Sequence, residues 1–428
     1  VAWVSRYGEF VASGDESRMS AAEAVAGVFA NDPIDPYPLY RRILSARPPV
    51  SDDGRLAVVA DAVSVGRVLT GPEFSVDRRH LARAVPGLGA PEGSPLRQMR
   101  QSALLFIDPP AHTRIRRLVG RAFSPPVIAR FRPQVAALVD GLLAQGIEST
   151  TDGRETLEVV GRLARPLPVA MIETILGVPE ADRAQMTAWS DALAGSLDVG
   201  AEESRPERVA AQQEALGNFR AYFAELAAAR RRAPGDDLLS LMIAAVDDGD
   251  RLSEDELLSN AALLLVAGHE TTTNLIATGA ARLPTRRDVW SRLASEPAGA
   301  PPVVEELLRH EPPVQLTLRV APEGADLGPL GRLAPGGVVL VLLAAAGRDP
   351  GLTPAAEDFD PGRTGVRHFA FGGGVHHCVG AALARLEAEV ALAALAARLP
   401  TAQVSKVSWK PNRILRGPAA VELLSAAD

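Results

Sequence analysis

Apolar residues recur at helical spacing through most of the stretch from about Ala111 to Leu308, and again after Gly380 to about Leu399. The clearest element starts at Ser253, where Glu256 completes a capping box, and its pattern runs to roughly Arg282. That is more than twice the usual helix length of about 11–12 residues, and its small and apolar middle predicts burial on most sides. A short amphipathic helix is expected around Leu39 to Ala46, and Leu56-Ala57-Val58-Val59 reads as a strand. Gly324 to Leu343 is dense in glycine, proline and valine, which predicts short strands and turns. Residues 74–104 carry Pro86, Gly87, Gly89, Pro91, Gly93 and Pro95 and read as one long loop. Residues 1–18 are weakly periodic and read as an N-terminal extension or tail, with Met19 an alternative start. Residues 19–428 read as a single domain, mainly α with minor β.

Composition narrows the picture. Aromatic residues make up 4% of the 428, so alanine, leucine and valine must fill the core. A net charge of −7 argues against a nucleic-acid partner, which calls for a basic face. Lys406 and Lys410 are the only lysines, a scarcity read here as coding bias. A single cysteine forms no intramolecular disulfide, which fits a reducing, cytoplasmic setting. The N-terminus does not read as a signal peptide, since Arg6, Glu9 and Asp15 interrupt it early. No uncharged apolar run reaches spanning length, so no membrane partner is expected; Ala261 to Val266 soon meets His269 and Glu270.

That one cysteine carries the chemistry. Cys378 sits in Phe371-Gly372-Gly373-Gly374-Val375-His376-His377-Cys378-Val379-Gly380, just before the strong helix formers Ala381 to Glu387. A sulfur there faces the positive end of a helix and its free N–H groups, which favours thiolate. Three glycines would let the backbone crowd against something flat, with Phe371 covering the sulfur. A thiolate so held is a good axial ligand for haem iron. Two plainer readings are weaker. A lone cysteine is often a small buried hydrophobe, but it needs no such loop. Zinc wants spaced ligand pairs, and His376-His377-Cys378 has no second cluster.

The run resembles the haem-binding loop of the cytochrome P450 family, Phe-Gly-x-Gly-x-His-x-Cys-x-Gly. Phe371, Gly372, Gly374, His376, Cys378 and Gly380 fill its six fixed positions, and the resemblance extends from about Asp32 to the C-terminus. It implies a cytochrome P450 fold with heme b (iron-protoporphyrin IX) between the long central helix and the cysteine loop, and Cys378 as the metal ligand. It further implies monooxygenation of a lipophilic small molecule, such as a polyketide, macrolide, terpenoid or peptide intermediate of secondary metabolism or antibiotic biosynthesis. Electrons would come from NAD(P)H through ferredoxin reductase and ferredoxin. Oxidative ring closure or coupling, peroxide-driven oxidation, and a non-catalytic activating partner stand as alternatives.

Other constellations gain meaning beside the loop. The long helix carries Ala267-Gly268-His269-Glu270-Thr271-Thr272, and a mid-helix glycine costs about 1 kcal/mol against alanine, so it needs a reason. Close approach of a cofactor or dioxygen would supply one. Thr271 can bond to a carbonyl one turn back, and an alcohol beside a carboxylate can relay protons. The resemblance implies Glu270 and Thr271 as the catalytic acid–alcohol pair, with Ala267 and Gly268 against the cofactor; His269 stays open. Buried haem propionates need cationic partners, and the resemblance suggests His112, Arg116, Arg319 and His376, with His368 bracing the loop. It also implies a buried structural pair, Glu306 and Arg309, whose third partner is either Arg363 or, by register, a slot held by Asp358. Arg114, Arg117 and Arg121 beside Arg116 would suit docking of an acidic ferredoxin. Substrate choice is expected in 74–104, Trp189 to Val209, Leu264 to Ala267 and Val314 to Thr317.

Overall fold

In the computed structural model the described residues are 19–30, 34–84, 93–121, 123–194, 206–244 and 251–426. The expected N-terminal tail, the Pro86 to Pro91 run and part of the Trp189 to Val209 region lie outside them. Ser253 caps the long helix, Glu254–Arg282, as its spacing predicts: Glu256 N–H donates to the Ser253 hydroxyl, and Ser253 N–H donates to Glu256 at 2.8 Å. Most of this helix is buried from Leu257 to Ala281. It packs against helices Pro95–Ser102, Pro166–Ile175 and Pro206–Arg232, and against the cysteine helix, Ala381–Arg398. At Gly279 a Cβ would stand 2.8 Å from the Leu392 methyl groups, so glycine lets the long and cysteine helices meet closely. Their shared core is mostly leucine, alanine and valine.

The described residues hold nine strands: β1 (Leu56–Val59), β2 (Glu148–Ser149), β3 (Glu155–Glu158), β4 (Thr317–Ala321), β5 (Ala325–Asp326), β6 (Arg332–Leu333), β7 (Gly337–Val341), β8 (Gln403–Trp409) and β9 (Pro418–Leu424). β1 pairs parallel to β7, which pairs antiparallel to β4 and sets Arg319 opposite Val339. A second sheet runs β2-β3-β9-β8, and β5 pairs with β6. The expected strand at Leu56 to Val59, the short strands after Gly324, the helix ending at Ala46 and the helix after Gly380 are all present. Strands β2 and β3 interrupt the stretch read as helical, and β8 and β9 were not foreseen.

The reading of 74–104 as one loop is corrected. Ser75 bridges Val320, and helices span Arg78–Ala84 and Pro95–Ser102. Ser94 accepts a hydrogen bond from Arg97 N–H, and Pro95 occupies the first turn. The glycine–proline density is confined to 86–95, where its last proline marks a helix start. Among the described residues no helix is long and apolar enough to cross a membrane.

Candidate active site

Cys378 N–H donates to the Phe371 carbonyl at 2.9 Å, closing the loop. Gly372 and Gly374 hold left-handed φ values of +67° and +63°. A Cβ on Gly374 would stand 2.4 Å from the Leu69 carbonyl oxygen, at the end of helix Ala62–Thr70. Gly372 and Gly374 therefore answer to the turn, and Gly374 also to that helix. Phe371 carries the Arg385 guanidinium 4.5 Å from its ring centre. Cys378 has accessible surface, yet the protein closes round it densely enough to push its thiol up. Both hold if the sulfur faces an interior space. Gly380 N–H, Arg116 and Arg385 pull the other way, but burial prevails. The helix-end N–H therefore acts in the expected direction, and a metal cation bonded to the sulfur would supply the rest of the stabilisation.

Three side chains gather around His376, two residues before that sulfur. His112 and Arg116 lie on helix Ala111–Gly120, Arg319 on β4 and His376 in the loop. The His112 and His376 rings stand 4.2 Å apart, and buried His112 Nδ1 has no hydrogen-bond partner. Burial, reinforced by His112, Arg319 and Arg116, takes His376 down to about 3. Burial also lowers Arg116, and brings Arg319 down to about 10. Arg319 donates to Thr317 Oγ1 at 3.1 Å and to the Leu318 carbonyl at 2.9 Å. Among the described residues neither Arg116 nor Arg319 has a carboxylate at ion-pair distance. Asp108 is engaged elsewhere, accepting from Ser75 Oγ at 2.5 Å and Val76 N–H at 3.0 Å. One buried and one half-buried arginine without a carboxylate at ion-pair distance, beside one sulfur, fit a ligand carrying two carboxylates and a thiolate-seeking metal. Haem has both.

On the long helix, Thr271 Oγ1 donates to the Ala267 carbonyl at 2.9 Å, the back-bond expected of it. A Cβ on Gly268 would meet Ile172 at an ordinary 3.7 Å, so the protein around it does not demand glycine. His269 is buried, with Nδ1 2.9 Å from Ser190 Oγ and 3.1 Å from the Leu265 carbonyl. It faces helix Arg183–Ala194. Glu270 accepts from Lys410 Nζ at 2.7 Å and from Asn274 Nδ2 at 3.4 Å, while Lys410 also donates to Asn274 Oδ1 at 3.0 Å. Sequence reasoning missed Lys410 and Asn274. The available signal was the scarcity of lysine, set aside as coding bias.

Glu306 and Arg309 are fully buried and paired through two contacts of 2.7 Å. Arg363 Nε stands 3.3 Å from Glu306, and Asp358 contributes its backbone carbonyl to Arg309 at 2.8 Å. Arg363 is therefore the third charged member. His368 Nε2 lies 3.2 Å from Glu305, which Arg385 also engages at 2.5 Å. Arg114 is tied to Glu256 and to the Arg251 carbonyl, which takes it out of the expected docking face; Arg117 and Arg121 are exposed.

A model of the family described as Cytochrome P450 matches residues 301–409. The chain is 38% identical over 402 residues to the cytochrome P450 monooxygenase PikC of Streptomyces venezuelae, covering 91% of each. It is 37% identical to the mycinamicin IV hydroxylase/epoxidase of Micromonospora griseorubida, covering 87% of this chain and 89% of that one. Among solved structures, ligand-free CYP164A2 of Mycobacterium smegmatis superposes with a TM-score of 0.80 at 39% identity, over 94% of this chain and 99% of that one.

Proposed function

Since this chain belongs to the cytochrome P450 family and is a monooxygenase, we propose that it oxidises a lipophilic secondary-metabolite scaffold in the cytoplasm, with electrons from NAD(P)H through ferredoxin reductase and ferredoxin. The observation that carries the haem site is the convergence of Arg116, Arg319, His112 and His376 around the cysteine loop, where neither arginine has a carboxylate at ion-pair distance among the described residues. Cys378 would hold the iron of heme b, and those four side chains the propionates. When bound, the haem supplies dioxygen activation and C–H oxidation.

The protein's own part is to hold, screen and move protons. Thr271 keeps its hydroxyl on the Ala267 carbonyl, and Glu270 is the acid one residue away. Their adjacency supports proton delivery at Thr271 Oγ1. A relative named for hydroxylation and epoxidation of mycinamicin IV supports a natural-product scaffold, with C–H and C=C oxidation both open to this fold.

Carbon monoxide difference spectroscopy on the reduced holoprotein tests the sulfur ligand. The thiolate-type band is expected in the parent and absent in Cys378→Ser; a histidine-type spectrum in the parent would overturn the reading. NADPH-driven turnover with and without ferredoxin and its reductase, set against hydrogen peroxide alone, tests the electron source. Turnover on peroxide alone at equal rate would replace the ferredoxin route.

A further inference from the structure

A recess of about 620 Å³ lies beside the cysteine loop and outside the site described above. Its wall is assembled from distant stretches of chain. Arg47 follows the helix Tyr37–Ala46, Val63 stands at the start of helix Ala62–Thr70, and Arg367 belongs to the segment that leads into the loop. Phe371 and His377 close it on the loop side. Cys378, His376, His112, Arg116 and Arg319 do not line it, so it is no part of the haem pocket.

The acids in this wall are already engaged. Asp349 accepts from the N–H groups of Ala62 and Gly351 at 2.8 Å each, and Asp61 accepts from Ser64 N–H at 2.9 Å. Glu305 is held by Arg385 and His368. The arginines divide. Arg385 is taken up by Glu305 and the Phe371 ring, whereas among the described residues Arg47 and Arg367 have no ion pair and no side-chain hydrogen bond. Arg47 also ends its helix at a φ of +45°, a left-handed backbone usual for glycine there and uncommon for arginine. The chain keeps a cation where glycine would fit with less strain. Beside these charges the wall is apolar, with Phe369, Val366 and Val63, the last 82% exposed. Unanswered guanidinium groups next to an apolar wall match a carboxylate carried on an apolar body.

The geometry points to this recess as a second ligand site, taking a small aromatic carboxylate whose anionic end meets Arg47 and Arg367 while its ring lies on the Val63–Phe369 wall. Arg385 links it to the cysteine loop, since it lines the recess and stands over Phe371. A bound anion therefore adds negative charge beside the loop and disfavours the reduced, more electron-rich iron. That last consequence rests on the haem reading; the binding itself does not.

The first test is calorimetric titration of the ferric holoprotein with naphthoate at low salt. Arg47→Gln and Arg367→Gln should each raise Kd by about 10–100-fold, as expected for losing a hydrogen bond to a charged group. Val63→Asp, which sets an acid in the wall, should abolish binding, and neutral naphthamide should bind no better than naphthoate binds Arg367→Gln. All three positions are exposed, so the unfolding midpoint should stay put. Ferric haem absorbance should not move, because a guest above the iron would shift it. A parent-like Kd in both arginine variants, binding that tracks a change in haem absorbance, or no heat at millimolar naphthoate would overturn the site. The second test is the midpoint potential of the haem. Saturating naphthoate should lower it in the parent and leave it unmoved in Val63→Asp; an unmoved midpoint in a parent that binds the probe would overturn the coupling to the loop.

Discussion

Two buried arginines of this protein live in opposite circumstances. Arg309 has all five guanidinium N–H groups engaged: two on Glu306, and one each on the carbonyls of Gly347, Ala356 and Asp358, all at 2.7–2.8 Å. Arg319 reaches one hydroxyl and one carbonyl, and no acid. A buried charge is tolerable only when something compensates it. Arg309 finds compensation within the fold and so belongs to the fold. Arg319 does not, and we propose that with Arg116 and His112, whose Nδ1 lacks a hydrogen-bond partner, it holds an anionic ligand. Satisfaction of the charge, more than burial, separates a brace from a binding residue.

The contrast is sharpest under mutation. Arg309→Ala leaves Glu306 buried with only Arg363 and one backbone N–H, and should cost about 3–5 kcal/mol in denaturant unfolding of the holoprotein. A loss below 1 kcal/mol would place Arg309 with the surface pairs. His310 gives a pH-dependent version. Its Nε2 lies 2.9 Å from the Glu357 carbonyl and its Nδ1 3.1 Å from Arg348, and burial takes it down to about 4. Between pH 6.5 and 4 the unfolded imidazole binds a proton that the folded one refuses, so stability falls as pH is lowered. The loss across that window is roughly 3 kcal/mol, and His310→Gln should flatten it in pH-resolved unfolding curves.

Arg319→Gln is expected to act on the ligand instead. Hydrogen bonds to charged groups are worth about 1.5–3 kcal/mol, so haem transfer to apomyoglobin should quicken roughly 10–100-fold. An unchanged transfer rate would remove Arg319 from the binding set. The smallest effect belongs to exposed arginines. Charge reversal at Arg117 and Arg121 should slow reduction by ferredoxin several-fold at low salt, and the difference should fade as the Debye length shrinks from about 30 Å at 0.01 M to 8 Å at 0.15 M. Equal rates at both ionic strengths would move the docking face elsewhere.

Much of this was legible where chemistry is local. The Ser253–Glu256 cap, the long helix and the cysteine loop depend on residues a few positions apart, so spacing alone reveals them. Strands β2 and β3 are short, and the four-stranded sheet forms only where β3 pairs with β9, Thr156 opposite Leu424 across the chain, which no window can see. The loop reading of 74–104 failed because glycine and proline were taken to mark the whole stretch, when Pro95 opens a helix capped by Ser94. Site roles divide the same way. Cys378 announces itself by its loop, and Arg363 became the third partner of Glu306 only once the chain folded back 57 residues. Lys410 lies 140 residues from Glu270, and nothing around it in sequence predicts the contact.

The scarcity of amines has a practical side. Lys406, on β8, bonds loosely to Glu422 at 3.4 Å and offers far more of its surface than Lys410. Among lysines, a support activated for amine coupling would therefore grip the molecule chiefly by one edge of the terminal sheet and orient each copy alike. Heavier acylation that reached Lys410 would remove its ion pair with Glu270, so the extent of labelling would also report how well the folded chain shields that contact.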